Sequence, residues 1–169
     1  MDSFSGKILE KLLPAAPDAG AIEATSRTRQ KKAVLQSDHW SNAVLLERAA
    51  YLRKLAKNGN GAESETLKEF PRHCAMLLFR SRDGGAEVHE NFADLFCVLD
   101  GRATLVTGGT VAGAVCIGPG EIRGTSVEGG ARQELSAGDV AHVPAGLPHQ
   151  MLVAGDHTVT CMVMKIQET

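Results

Sequence analysis

The chain has 169 residues, 43% of them apolar and 22% charged, with 18 basic against 20 acidic side chains and a formal net charge of −2. That length suits one domain with a real hydrophobic core and excludes a disordered chain. The charge excludes a strongly basic nucleic-acid binder, and no apolar run reaches membrane-spanning length, so neither nucleic acid nor membrane is expected as a partner.

From Met1 to Ala21 the apolar residues Ile8, Leu9, Leu12 and Leu13 are interrupted by Glu10 and Lys11, which does not read as a secretory signal. Gly6 to Leu13 predicts a short amphipathic turn that stops before Pro14, and residues 21–33 are compatible with helix. The basic cluster Arg27, Arg29, Lys31 and Lys32 reads as a solvated helix face or linker rather than a phosphate contact. The clearest helix runs from Ser41 to Lys57, where Val44, Leu45, Ala49, Leu52 and Leu55 or Ala56 recur at helical spacing. Asp38 or Ser41 can cap its start, Asn58-Gly59 ends it, and Trp40 and Tyr51 are expected to dock it.

Near residue 70 the composition changes: four of the eighteen glycines precede it and fourteen follow. Short strands separated by glycine-rich turns are expected at 73–80, 86–89, 94–99, 103–107, 133–135, 140–143, 149–153 and 158–165. The stretch 111–130 carries only short glycine-bounded pieces. Closely spaced strands without intervening helices predict a sandwich or barrel. Asp94–Leu99 and Cys74–Phe79 are apolar on both faces, so the outer face needs cover, in part from the N-terminal helices and otherwise from a second copy in a homodimer. Four widely spaced cysteines, Cys74, Cys97, Cys116 and Cys161, form no CxxC pair and read as reduced, buried thiols of a cytoplasmic protein.

The most specific segment is Gly138-Asp-Val-Ala-His-Val-Pro144-Ala-Gly146-Leu-Pro-His149, a G-x5-P-x-G-x2-H pattern in which a Pro-x-Gly turn delivers His149 to the next strand. Upstream, Glu87-Val-His89 is followed by four residues, Asp94, six residues and Gly101. The first pattern closely resembles the second motif of the cupin superfamily, lacking only its trailing Asn, where Val153 stands. The second resembles the first cupin motif with its spacing kept, Glu87 standing for the first His and Asp94 for the Glu, and Ser81 at the early glycine. A rival register through His89-x-Asn91 leaves only two residues before Asp94.

The resemblance covers residues 72–166 and implies an all-β barrel, the double-stranded β-helix, over 71–169, preceded by a helix-rich N-terminal extension over 1–70. It also implies a metal site: Glu87, His89, Asp94 and His149 would offer two imidazoles and one or two carboxylates to one divalent ion, Fe, Mn, Zn or Ni. Period-two alternation puts Glu87 and His89 on one strand face. The function expected is a metal-dependent small-molecule enzyme, of dioxygenase or isomerase/lyase type, with His142 a candidate acid or base. The alternatives are a non-catalytic ligand-binding or sensing cupin with a relaxed metal site, and a metal-free acid–base enzyme. Two carboxylates inside a barrel repel, and without a metal a proton on one, an imidazolium, or Arg80, Arg102, Arg123 or Arg132 must compensate. Phe96, Val98 and Met151 are either core or an apolar ligand wall, and His39, His73 and His157 read as surface or strand-end residues.

Overall fold

A computed structural model describes residues 37–168; the expected turn at 6–13, the segment 21–33 and the basic cluster at 27–32 lie outside them. Helix α1 spans Asn42–Lys57. The Ser41 hydroxyl accepts from the Val44 amide at 3.3 Å, which makes Ser41 and not Asp38 the N-cap, and Lys54 and Lys57 sit in the last turn against the negative end of the dipole. No helix among the described residues is long and apolar enough to cross a membrane.

Twelve strands follow: β1 (Ala62–Phe70), β2 (His73–Arg80), β3 (Ala86–His89), β4 (Phe92–Thr107), β5 (Thr110–Ala112), β6 (Val115–Gly118), β7 (Glu121–Gly124), β8 (Ser126–Glu128), β9 (Ala131–Ser136), β10 (Val140–Val143), β11 (His149–Leu152) and β12 (Val159–Gln167). Ten of them form one curled sheet in the order β1-β2-β12-β4-β11-β3-β7-β6, with β9 and β10 also paired to β4, while β5 and β8 form a separate pair. Every pairing is antiparallel.

Two expectations change here. Residues 62–70, placed by composition in the helix-rich lead, are an edge strand, because pairing to β2 along its length outweighs the helix propensity of Glu, Lys and Leu. The segments 94–99 and 103–107 are one strand, β4, which pairs with β10 and β12 in its first half and with β9 and β11 in its second. Leu99 is an extra residue in the ladder with β12, since Cys161 faces Val98 while Thr160 faces Asp100. That bulge reverses the alternation, so Phe96 and Val98 before it and Ala103 and Leu105 after it all enter the same core. Gly101 completes the bend with φ +80°, and a Cβ there would collide with the Thr158 carbonyl.

The inner core is Phe96, Val98, Leu105, Val143, Met151 and Val163 with their neighbours. The outer face of β2 is covered by α1: Leu45, Ala49, Leu52 and Ala56 pack on Leu77 and Phe79, with Trp40, Leu99 and Met162 at the margin. Trp40 thus docks the helix as expected, whereas Tyr51 points to solvent at 61% exposure. Cys161 is buried, which pushes its thiol up to about 12, but Cys116 is exposed rather than buried because it lies on the edge strand β6.

If α1 is part of the barrel's core, Leu52→Ala should cost about 2–5 kcal/mol in denaturant unfolding of the whole chain. A loss within about 0.5 kcal/mol, the usual range of surface substitutions, would show that α1 is an appendage.

Candidate functional site

One end of the barrel carries a cluster of charged side chains inside an otherwise apolar wall. Asp94 belongs to the inward face of β4 with Phe96 and Val98, and is only 3% exposed. Glu87 and His89 share a face of β3, and β11 begins at His149, directly opposite Glu87 in the ladder. The Pro144-Ala-Gly146 turn sets this approach. Gly146 adopts φ +77° and its amide donates to the His89 carbonyl at 2.8 Å, so the turn before His149 is fastened to the strand that carries His89.

The side chains converge. His89 Nε2 lies 3.3 Å from Glu87 Oε2 and 3.5 Å from Asp94 Oδ2, and His149 Nε2 lies 3.5 Å from the same Asp94 oxygen. Ligand atoms of Glu87, His89 and His149 all fall within 4.8 Å of one another. Both rings are held from behind through Nδ1: that of His89 bonds Glu121 Oε2 at 2.7 Å, and that of His149 bonds the Leu147 carbonyl at 3.2 Å. A carboxylate or carbonyl behind Nδ1 is how metal-binding histidines are usually oriented, with Nε2 turned to the ion. The donor set therefore fits a divalent first-row ion, with Glu87, His89 and His149 as ligands and Asp94 alongside.

Sequence reasoning missed Lys165. Its ammonium donates to Asp94 Oδ1 at 2.7 Å and Oδ2 at 3.1 Å, and lies 2.9 Å from His89 Nε2. The signal was present: Val159, Cys161 and Val163 line the core on alternate residues of β12, and Lys165 continues that series. Glu121 was missed for a different reason, since its segment shows no periodicity and only the pairing of β3 with β7 sets it beside His89. Of the four candidate counter-charges, Arg123 takes the role, 3.0 Å from Glu121 and 3.7 Å from Glu87. Arg102 and Arg132 are exposed.

The structure does not bring His142 to this cluster. On β10 it alternates with Ala141 and Val143, which join the core, so its ring faces outward and is exposed. Phe96 and Met151 line the cavity above the cluster, whereas Val98 lies deeper in the core. That cavity has a volume of about 260 Å³ and is walled by Met76, Leu78, Phe96, Met151 and Val163 opposite Arg80, Glu87, Arg123 and Lys165.

Charge sets the titration. Burial opposes ionisation of Glu87, but the His89 hydrogen bond and the charge of Arg123 outweigh it and hold the carboxyl at about 2. Asp94 is likewise lowered, burial being overcome by His149 and Lys165. For His89, burial and Lys165 disfavour the charged ring, yet Glu87, Asp94 and Glu121 prevail and raise its pKa. Protons and a metal ion therefore compete for the same donors.

No family model and no curated protein matches the chain. Solved structures do. A Klebsiella pneumoniae protein with a double-stranded β-helix domain superposes with a TM-score of 0.52 at 17% identity, over 78% of this chain and 91% of that one. The fold is a cupin barrel. TT1209 from Thermus thermophilus matches at a TM-score of 0.50 and 17% identity, over 73% of this chain and 95% of that one. The cupin domain of Schizosaccharomyces pombe Cnp3 gives 0.48 at 14% identity, over 63% of this chain and 65% of that domain. The barrel fixes the scaffold and not the chemistry, which depends on the side chains of the site.

The depressed pKa of Glu87 carries a sign that can be measured. Its stabilisation is complete above the ordinary carboxylate value of 4.5 and is lost as pH falls towards about 2. In metal-free protein, the stability gap between the wild type and Glu87→Gln should be widest near neutrality and close across that acid range. A gap that stays constant would mean that Glu87 ionises normally.

Proposed function

We propose that this cupin is a metal-dependent enzyme acting on a small molecule, with one divalent ion held by Glu87, His89 and His149 and with Asp94 as a partial fourth ligand. The observation that supports it best is the pair of imidazoles fixed from behind by Glu121 and Leu147 with both Nε2 atoms turned to the carboxylates. When bound, such an ion supplies Lewis acidity and an open position for a substrate oxygen or for O2, which accommodates isomerase/lyase or dioxygenase chemistry. The chain's own groups do the rest. The apolar wall excludes water from one side of the cavity, and Lys165, bonded to Asp94, places an Nζ donor at the cavity wall, where it can hand a proton to a bound substrate. Lys165 and an ion draw on the same His89 nitrogen, and the ammonium must release it for the ion to use it.

That competition favours one second reading. If Lys165 is the permanent cation of the cluster, the barrel is a metal-free binding or sensing module. Elemental analysis of untagged protein kept away from chelators separates the two. About one Fe, Mn, Zn or Ni per chain, lost in His149→Ala, is expected of the enzyme. Lys165→Met adds a second criterion. It leaves Asp94 buried without its cation and should cost about 3–5 kcal/mol in metal-free protein. Added metal should restore that loss under the first reading and leave it unchanged under the second. No bound metal and no rise in Tm with any of the four ions would exclude the enzyme as described.

A cytoplasmic setting agrees with the four free thiols. The expected homodimer has a candidate surface in the terminal strand β6, where Val115 and Ile117 are 59% and 61% exposed. Sedimentation at micromolar concentration should give a dimer that Ile117→Lys splits; a monomeric wild type would remove this surface from consideration.

A further inference from the structure

Three cations line the cavity, and two are committed. Lys165 is engaged by Asp94, and Arg123 by Glu121 and Glu87. Arg80 is not. Its Nε is the one buried side-chain nitrogen or oxygen without a hydrogen-bond partner among the described residues, and its guanidinium forms no ion pair there. The two carboxylates whose charge it feels are occupied elsewhere: Asp83 accepts from the Val153 amide at 2.7 Å, and Glu87 faces His89 and Arg123.

The position is built into the fold. Along β2, Ala75, Leu77 and Phe79 are buried on one face, with Leu77 and Phe79 meeting α1, while Met76, Leu78 and Arg80 face the cavity. The guanidinium lies against Gly84, where a Cβ would come within 3.0 Å of Cζ and Nη1, so the loop after β2 leaves it room. Burial lowers the Arg80 pKa. Arg80 is half-buried, and a guanidinium whose Nε is shut off from water without a partner is costly, a departure that native structures concentrate at functional sites.

We propose that Arg80 receives the carboxylate of the substrate, a small monocarboxylate whose apolar body lies against Met76, Leu78, Phe96, Met151 and Val163. The planar guanidinium fork matches a carboxylate through two parallel hydrogen bonds. One free cation calls for one negative charge. A volume of about 260 Å³ lies below the range of about 300–1,000 Å³ for drug-sized ligands, which limits the body to a short aliphatic chain or a single ring. The carboxylate end would sit at Arg80 and the far end towards His149 and Lys165. This inference rests on the cavity being the substrate site proposed above, and it does not depend on which metal is bound.

The probes are propionate, pentanoate and benzoate, each paired with its neutral amide, titrated calorimetrically into the full chain. At least one carboxylate should bind the wild type in the millimolar range or tighter, with its amide weaker by about tenfold or more. Arg80→Met should lose that preference, and Arg80→Lys should recover part of it. Without probe, Arg80→Met should melt no lower than the wild type, because it removes a buried, unsatisfied Nε from a half-buried side chain. Equal carboxylate binding by Arg80→Met, or no binding of any of the three carboxylates to the wild type, overturns the proposal. So does a Tm drop in Arg80→Met that Arg80→Lys repairs without restoring binding, since that marks a structural role. Metal content measured on the same samples keeps the two readings apart. Carboxylate selectivity lost with metal retained concerns Arg80, whereas selectivity intact without metal removes the metal reading alone.

Discussion

An ionised carboxylate inside an apolar barrel needs a cation, and Asp94 sets that requirement for this molecule. It shares the cavity wall with Phe96, Met151 and Val163 and is only 3% exposed, so an unpaired charge there would cost several kcal/mol. Lys165 meets it with two hydrogen bonds and reaches His89 as well. The demand then propagates. Glu87 is balanced by His89 and Arg123, His89 is held from behind by Glu121, and Arg123 returns to Glu121. Each charged group thus has a partner facing the cluster and, in most cases, another behind it. The result is a connected network rather than a collection of pairs, which fixes where both Nε2 atoms point.

The backbone supplies the matching constraint. Asp94 can share a wall with the core only because β4 serves both halves of the barrel, and the Leu99 bulge with Gly101 is what permits one strand to do so. Without the extra residue, either the first or the second half of β4 would turn its apolar residues outward. His149 depends on a second local device, the Gly146 amide bonded to the His89 carbonyl. The glycines of the two sequence motifs are therefore positional: they set the separation of the strands that bear the histidines.

This explains what could be read from residues alone. The Pro144-Ala-Gly146 turn, the spacing from Glu87 to Gly101 and the helix at 42–57 were legible because each is local. The barrel followed from the same motifs. Lys165 and Arg80 stand at inward positions of strands whose alternation was visible, yet a terminal charged residue on a strand normally reads as solvated. In the antiparallel ladder Arg80 faces Val159 and Lys165 faces Cys74, and only the curl of the sheet shows that one cavity runs between these two positions. Glu121 had no local signal at all, since its strand is four residues long and the register of β7 on β3 comes from the tertiary fold. His142 failed for the converse reason. Seven residues before a candidate ligand is suggestive spacing, but Val143 occupies the core and alternation turns His142 away.

The departures from the usual cupin pattern are coupled rather than independent. Placing a carboxylate at 87 where the motif has an imidazole adds a negative charge, and Arg123 lies 3.7 Å away to offset it. Asp94 stands where the motif that it resembles has Glu, and Lys165 supplies the opposing charge at 2.7 Å. The cluster's donors are rich in oxygen, a set that suits harder ions. The same accounting leaves one group unanswered. Every carboxylate lining the cavity has a cation, and every cation lining it but Arg80 has a carboxylate. A fold that balances its buried charges this closely and keeps one guanidinium in reserve is organised around an anion that comes from outside.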